Sequence, residues 1–286
     1  MSTQSSSNHH YIIECYARPG LSWSVEKQRA FVTELREVAM QSFGFTHESQ
    51  LPAYQCLLWP DEAPTGAGLD DKVIAVARER VPPSSKRPGK MLAFNSAVLL
   101  PIPGLSVPVL HHGLTCILPS ARSYGLTKIF TGHICMQTFL RCAAPRGEKL
   151  WITSVACVVS SLGSIAQGFK NVWPSPTHPH TPPTVMHAHI ANSIAASPSL
   201  RAAMYISPEC VYDIEKSVFQ GSVQGTVFAK ERDDVQYHHR QKEIHRFFES
   251  RIDFKRGDEV LQVWSISHVS ELLDPLRGRW ELSAKL

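Results

Sequence analysis

Apolar residues recur along the first part of the chain at the spacings of strands and helices. The run Tyr11–Ala17 has the β-branched and aromatic content of a strand. From the N-cap residue Ser24 to Gly44, apolar residues fall three or four positions apart, which predicts an amphipathic helix. The same patterns predict further strands over 72–78, 91–101, 107–118 and 151–159, a helix from Leu126 that ends at Pro145, and a helix from Ser160 or Ser161 to Trp173.

Two of these elements carry more specific expectations. The helix that begins at Leu126 has an apolar face that extends to Leu140. The strand over 151–159 is almost continuously apolar, so we expect it to be central in a sheet. Phe169 and Trp173 share one face of the helix that follows, and should pack on that same sheet.

A buried strand, a polar turn and a helix start follow one another directly over 114–128. The first backbone N–H groups of a helix have no intrahelical acceptor, and the helix dipole favours negative charge in front of them. Arg122 and Lys128 add positive charge to the turn. The segment therefore predicts an anion-binding site.

These residues resemble motif A of the GNAT superfamily of acyl-CoA-dependent N-acyltransferases, an apolar strand and a Pro followed by Arg/Gln-x-x-Gly-x-Gly/Ala. The segment from Arg122 to Thr127 keeps this pattern up to its last position, where Thr127 stands in place of Gly or Ala. The order β-α-β-β-β-turn-α-β-α is also that of the family. The resemblance covers Tyr11 to Pro174, and implies an α/β (α+β) fold with a mixed, mostly antiparallel sheet flanked by helices.

The resemblance also implies a site for acetyl-CoA or another acyl-CoA. Main-chain groups of Thr115 and Ile117 would contact its pantetheine arm. The turn would hold its pyrophosphate through Arg122, Ser123, Tyr124, Gly125, Leu126 and Thr127.

His111 and His112 lie in the strand that enters the turn, and neighbouring strand residues face opposite sides. An imidazole with an ordinary pKa near 6.5 accepts a proton at neutral pH, so either residue is a candidate general base. The alternative is a buried histidine that only hydrogen-bonds within the core. The family often supplies a tyrosine as general acid from the helix after the next strand, but the segment 160–173 offers only serine hydroxyls.

The chain is divided by its pattern into a tail over 1–10, predicted to be disordered, a core over 11–175 and an extension over 176–286 that packs on the core. The extension begins with a Pro-rich connector at 177–184 and reads as helical to about Val218. A helix ending near Phe248, a turn over 255–258 and a strand over 259–266 follow.

Composition and charge limit the classes of binding partner and the cellular compartment that we expect for this chain. The 286 residues carry a formal charge of +4 and are 43% hydrophobic and 19% charged, as in an ordinary soluble globular protein. The basic residues form no stripe interleaved with aromatics, and no apolar run reaches the length of a membrane helix, so neither nucleic acid nor a membrane is an expected partner. The first residues lack a signal-peptide pattern, and the seven scattered cysteines suit reduced core thiols, which together favour the cytoplasm.

Fourteen histidines include two H-x-H pairs, His178 with His180 and His187 with His189. Two residues apart share a face only in a strand, whereas the first pair lies in a Pro-rich loop and the second begins a predicted helix. No metal is therefore expected. Serine-hydrolase, P-loop and dinucleotide fingerprints are also missing from the sequence.

Three functions remain open. The first is an acyltransferase acting on an amine or hydroxyl of a small molecule. The second keeps the fold for another reaction on a small organic substrate, such as cyclisation, isomerisation or decarboxylation. The third is a non-catalytic module that binds a small molecule or a partner protein, because a fold does not determine a function.

Overall fold

The computed structural model describes residues 11–82, 84, 85 and 88–273. The strands are β1 Tyr11–Ala17, β2 Lys72–Glu79, β3 Met91–Leu100, β4 Val109–Ile117, β5 Leu150–Ala156, β6 Val211–Asp213, β7 Val218–Gln220 and β8 Glu259–Ile266. The helices are α1 Val25–Phe43, α2 Leu126–Thr138, α3 Val159–Gly168, α4 Val185–Ala196, α5 Pro198–Ala203, α6 Lys242–Glu249 and α7 Ser270–Leu273. The expected tail, 1–10, and the end of the expected extension, 274–286, lie outside the described residues.

The strands follow the order β1-β2-β3-β4-β5-β8-β7-β6 in one sheet. β4 and β5 run parallel to each other. The antiparallel pairs are β1–β2, β5–β8, β8–β7 and β7–β6. The sheet is therefore mixed and mostly antiparallel, which confirms the predicted fold class. β5 lies between β4 and β8, so the prediction that it is a central strand is also confirmed.

The chain folds as two compact units, one made of 11–96 with 114–134 and the other of 97–113 with 135–273. In the first unit, α1 begins where Ser24 Oγ accepts the N–H of Lys27 at 3.4 Å and ends at Gly44, which adopts the left-handed φ of 72°. Its buried residues are Phe31, Val32, Leu35, Val38 and Ala39, and in the same unit β2 up to Arg78 and the β3 residues 91–96 are also buried.

The second unit buries both faces of β8. On one face, Leu261 and Val263 pack with α4 and α5 residues such as Ile190 and Leu200. On the other, Val260 packs with α3 and α6, including Leu162 and Phe248. Alternate residues of one strand thus serve two separate hydrophobic clusters.

The structure corrects three details of the sequence-based helices. α2 gives way to a π-helical turn over Phe139–Ala143, and the wider turn rotates Leu140 out of the apolar face, leaving its side chain exposed. α3 has Val158 rather than a serine at its N-cap and ends at Gly168. Trp173 consequently forms no part of a helix, but exchanges backbone hydrogen bonds with Val263 at 2.8 and 2.9 Å.

The segment predicted as helical up to Val218 is also different. α4 ends at Ala196 and α5 ends at Ala203, and the short strands β6 and β7 follow. Each has only three residues, too few for a periodic pattern to show. None of the described helices is long and apolar enough to cross a bilayer.

Candidate functional site

The predicted anion turn has a defined backbone in the first unit. β4 ends at Ile117, Pro119–Tyr124 form a 3-10 helix, and Gly125 adopts a left-handed conformation with φ 68° before α2 begins at Leu126. The buried side chains of Ala121 and Leu126 anchor the turn, while Ser123, Thr127 and Lys128 are exposed. The succession of strand, turn and helix predicted from the sequence is confirmed.

Ser42, at the end of α1, holds this turn from one side. Its hydroxyl accepts the N–H of Ile117 at 3.3 Å, and its carbonyl accepts from the guanidinium of Arg122 at 3.0 Å. Tyr124 stacks on Tyr11 with ring centroids 5.6 Å apart. These contacts fix the turn. Because the Ile117 N–H already donates to Ser42, the main-chain group of Ile117 left for the expected pantetheine contact is its carbonyl.

Thr115 lies half-buried in β4, and its hydroxyl accepts a hydrogen bond from the side-chain amide of Asn95. The amide oxygen of Asn95 is buried and has no hydrogen-bond partner among the described residues. A polar pair therefore interrupts the apolar strands two residues before the end of β4.

His111 and His112 belong to the second unit and lie on opposite faces of β4. His111 is buried, and its Nδ1 lies 3.0 Å from Thr153 Oγ1 on the adjacent strand, on the face that carries Val109 and Val263. His112 Nε2 lies 3.3 Å from Cys135 Sγ, and its ring stacks at 6.1 Å on Trp264. Burial lowers the pKa of His112 to about 4.

The sequence matches no protein-family model and no curated protein. Solved structures match part of the chain. One is described as a GNAT-family acetyltransferase from Desulfovibrio desulfuricans, with 12% identity, a TM-score of 0.32, and coverage of 51% of this chain and 73% of that one. Another is an aminoglycoside acetyltransferase from an uncultured soil metagenomic sample in complex with trehalose, with 11% identity, a TM-score of 0.35, and coverage of 55% and 84%.

An aminoglycoside N-acetyltransferase in complex with CoA also matches, with 17% identity, a TM-score of 0.29, and coverage of 46% of this chain and 72% of that one. By its own strand order and the turn between β4 and α2, the chain has the GNAT-like topology that the sequence predicts.

Beside His112, the GNAT-like sheet carries a polar row that the sequence did not suggest. His112 pairs with Ser154 on β5, and Ser154 pairs with Gln262 on β8, so all three side chains project from one face. His112 Nδ1, Gln262 Oε1 and Trp264 Nε1 are buried and have no hydrogen-bond partner among the described residues. The polar residue Gln262, in the middle of the mainly apolar strand β8, could have indicated this row.

Helix α3 follows β5 and is the helix on which the sequence resemblance implies a tyrosine. Its hydroxyl groups are those of Ser160, Ser161 and Ser164, and Ser164 donates back to the Ser160 carbonyl at 2.8 Å. The departure noted in the sequence therefore persists in the folded helix.

The second unit also contains an unexpected carboxyl group, that of Glu259 at the start of β8. It accepts a hydrogen bond from Ser222 Oγ at 2.7 Å, and burial raises its pKa to about 7. Glu259 lies opposite Phe219 of β7. Ala156 is the last β5 residue that pairs with β8, and Cys157 directly follows it. Sequence alternation placed Glu259 on the strand, but gave no sign that its carboxyl group is buried.

The second histidine pair, His187 and His189, fills ordinary structural positions. His187 is buried, with its two ring nitrogens 2.6 Å from Thr184 Oγ1 and 2.9 Å from the Asn171 carbonyl oxygen. His189 Nε2 lies 2.8 Å from the Pro103 carbonyl. Within the described ranges, no three His, Cys, Asp or Glu side chains are arranged to hold a metal ion.

Proposed function

We propose that this protein is an acyl-CoA-dependent acyltransferase that modifies an amine or hydroxyl group of a small molecule. The observation that supports the proposal most is the turn between β4 and α2, where Gly125 leaves the start of α2 open in front of exposed Ser123 and Thr127. Helix N-termini of this kind bind phosphate groups.

The residues of the turn fit a pyrophosphate. The N–H groups of Leu126, Thr127 and Lys128 lie in the first turn of α2 and have no intrahelical acceptor. Thr127 adds a hydroxyl donor where the family usually has Gly or Ala, and Arg122 and Lys128 add positive charge. Acyl-CoA would supply the acyl group as a thioester.

His112 is the histidine that we assign to proton transfer. Neutral imidazole has one donor and one acceptor nitrogen. Burial raises the pKa of the Cys135 thiol, which therefore stays protonated and can accept the Nε2–H of His112. Nδ1 would then be an acceptor for the proton that the attacking amine or hydroxyl loses on acyl transfer, while CoA would leave as its thiolate.

The cofactor assignment is tested by calorimetric titration of CoA into the wild type and Gly125→Val. A β-branched residue is strained at φ 68°, so the variant should bind CoA at least tenfold more weakly. Gly147→Val is the matched control, because Gly147 has the same left-handed φ, 66°, with open space around it. Absence of CoA binding to the wild type at millimolar concentration would rule out the acyltransferase.

The base assignment is tested by turnover. His112→Gln should lower turnover by about 10²–10⁴ with little change in CoA affinity, because glutamine cannot accept the proton. His111→Gln is the control on the opposite face of β4 and should keep most of the activity. Equal turnover in both variants would show that neither histidine is the base.

One observation favours the second candidate, a different reaction on a small organic substrate. A pKa of about 4 makes His112 a weak base at neutral pH, and α3 offers no tyrosine as a general acid. The two candidates differ in their need for CoA. Turnover that requires His112 but does not require CoA would support this second function. Ligand binding without any turnover would instead indicate the binding module.

A further inference from the structure

A cavity of about 310 Å³ lies in the first unit. It is lined by Glu34, Glu37 and Gln41 of α1, by Arg78 of β2, and by Gly89 and Lys90 before β3. We propose that this cavity binds a small zwitterion of the amino-acid class, with its ammonium group at Glu37 and its carboxylate at Lys90. The proposal is independent of the acyltransferase assignment.

Arg78 fixes the walls of the cavity before any ligand arrives. Its side chain is only 5% exposed, and its Nε donates to the Glu14 carboxylate at 3.0 Å. Nη1 and Nη2 both donate to the carboxylate of Glu34, and Nη1 also donates to the Gly89 carbonyl at 3.2 Å. One buried guanidinium thus joins β1, α1 and the segment before β3.

Gly89 lets this wall form. A Cβ at this position would lie 1.9 Å from the carbonyl oxygen of Glu79, so the two backbone segments approach more closely than any other residue would permit. The Glu79 N–H also donates to the Lys90 carbonyl at 2.9 Å. Lys90 is therefore held at the rim of the cavity by its own backbone.

The charged groups of the cavity divide into those already paired and those free to bind. Both oxygens of Glu34 are taken by Arg78. Glu37, one turn further along α1, and Lys90 have exposed side chains, and no described residue forms an ion pair or side-chain hydrogen bond with either. One negative and one positive group thus face the same space from different elements.

Size and charge together select the ligand class. A lone cation would meet Lys90 and Arg78, and a lone anion would meet Glu34 and Glu37, whereas a zwitterion matches both signs. Val38 and Met91, both buried, give the cavity an apolar surface that suits a short aliphatic side chain. The volume is at the lower end for small-molecule sites, as expected for a free amino acid.

The test is calorimetric titration of L-leucine, N-acetyl-L-leucine and L-leucinamide, in the absence of CoA. The second compound lacks the ammonium group and the third lacks the carboxylate, so each tests one half of the proposed recognition. The protein variants are Glu37→Gln and Lys90→Met, with Glu26→Gln as a control that removes a charge from α1 outside the cavity. Circular dichroism confirms that each variant is folded.

We expect leucine binding to saturate at leucine concentrations up to about 10 mM. Each single-charge compound should bind about tenfold more weakly than leucine. Glu37→Gln and Lys90→Met should each weaken leucine binding by about tenfold, and Glu26→Gln should leave it unchanged. The proposal is overturned if leucine shows no saturable binding, if leucinamide or N-acetyl-leucine binds as tightly, or if Glu26→Gln weakens binding as much as Glu37→Gln.

Discussion

The depressed pKa of His112 predicts how the stability of the protein responds to acid. In the unfolded chain the imidazole has its ordinary pKa near 6.5, whereas in the folded protein its pKa is about 4. Between these values the unfolded state binds more protons than the folded state. The free energy of unfolding should therefore fall as the pH drops from about 6.5 to about 4, and this contribution should be constant at neutral pH and above.

The size of the effect follows from the shift. Each pKa unit corresponds to 1.36 kcal/mol, so His112 should withdraw about 3 kcal/mol of stability at pH 4. That loss is a large fraction of the 5–15 kcal/mol typical of folded proteins. His112→Gln removes the titrating group while keeping a polar side chain, and should abolish this part of the acid sensitivity.

The assay is urea unfolding of the wild type and His112→Gln at several pH values from 4 to 8, followed by tryptophan fluorescence. Other groups titrate in both proteins, so the informative quantity is the difference between their free energies of unfolding. That difference should shift by about 3 kcal/mol in favour of the variant as the pH falls. A difference that stays constant with pH would refute the burial of a neutral His112 and the proton-acceptor role built on it.

Three further changes test other parts of the molecule. Phe169→Ala should cost about 2–3 kcal/mol in urea unfolding, less than for a fully buried ring, because Phe169 is only partly buried. Glu259→Gln should stabilise the protein by up to about 3 kcal/mol above pH 7 and have a vanishing effect near pH 4.5, since the raised pKa of Glu259 means that the folded state holds a proton which the unfolded state has lost. Gly89→Ala should lower stability by about 1–3 kcal/mol in the same assay, because the added Cβ would meet the carbonyl oxygen of Glu79.

Much of the fold could be predicted from the sequence, because long elements leave repeated patterns. α1 has nineteen residues, a capping serine and a terminal glycine, so spacing and both ends agree. β3 and β8 are also long enough for their apolar content to show. Their order, together with the turn around Gly125, was sufficient to anticipate the sheet.

Features that depend on tertiary contacts could not be predicted in this way. The π-helical turn that exposes Leu140 changes the helical period within one turn, where the residue pattern is still apolar. The cavity in the first unit brings together Glu34, Arg78 and Gly89, and the first two are 44 residues apart. No local motif marks such a cavity, because each residue is ordinary in its own element.

The two histidines of β4 have different surroundings, because His112 lies in the polar row on β4, β5 and β8 and His111 does not. His111 has its partner in Thr153 and is accounted for as a core residue. Beside His112, three buried polar atoms have no partner among the described residues, and each such atom costs about 1–3 kcal/mol. Gln262 has a structural contact, because its Nε2 donates to the Pro174 carbonyl at 3.3 Å, whereas His112 Nδ1 has none among the described residues. The proton-acceptor role that we propose for His112 would account for this nitrogen, because a base needs a lone pair that no other protein group already occupies.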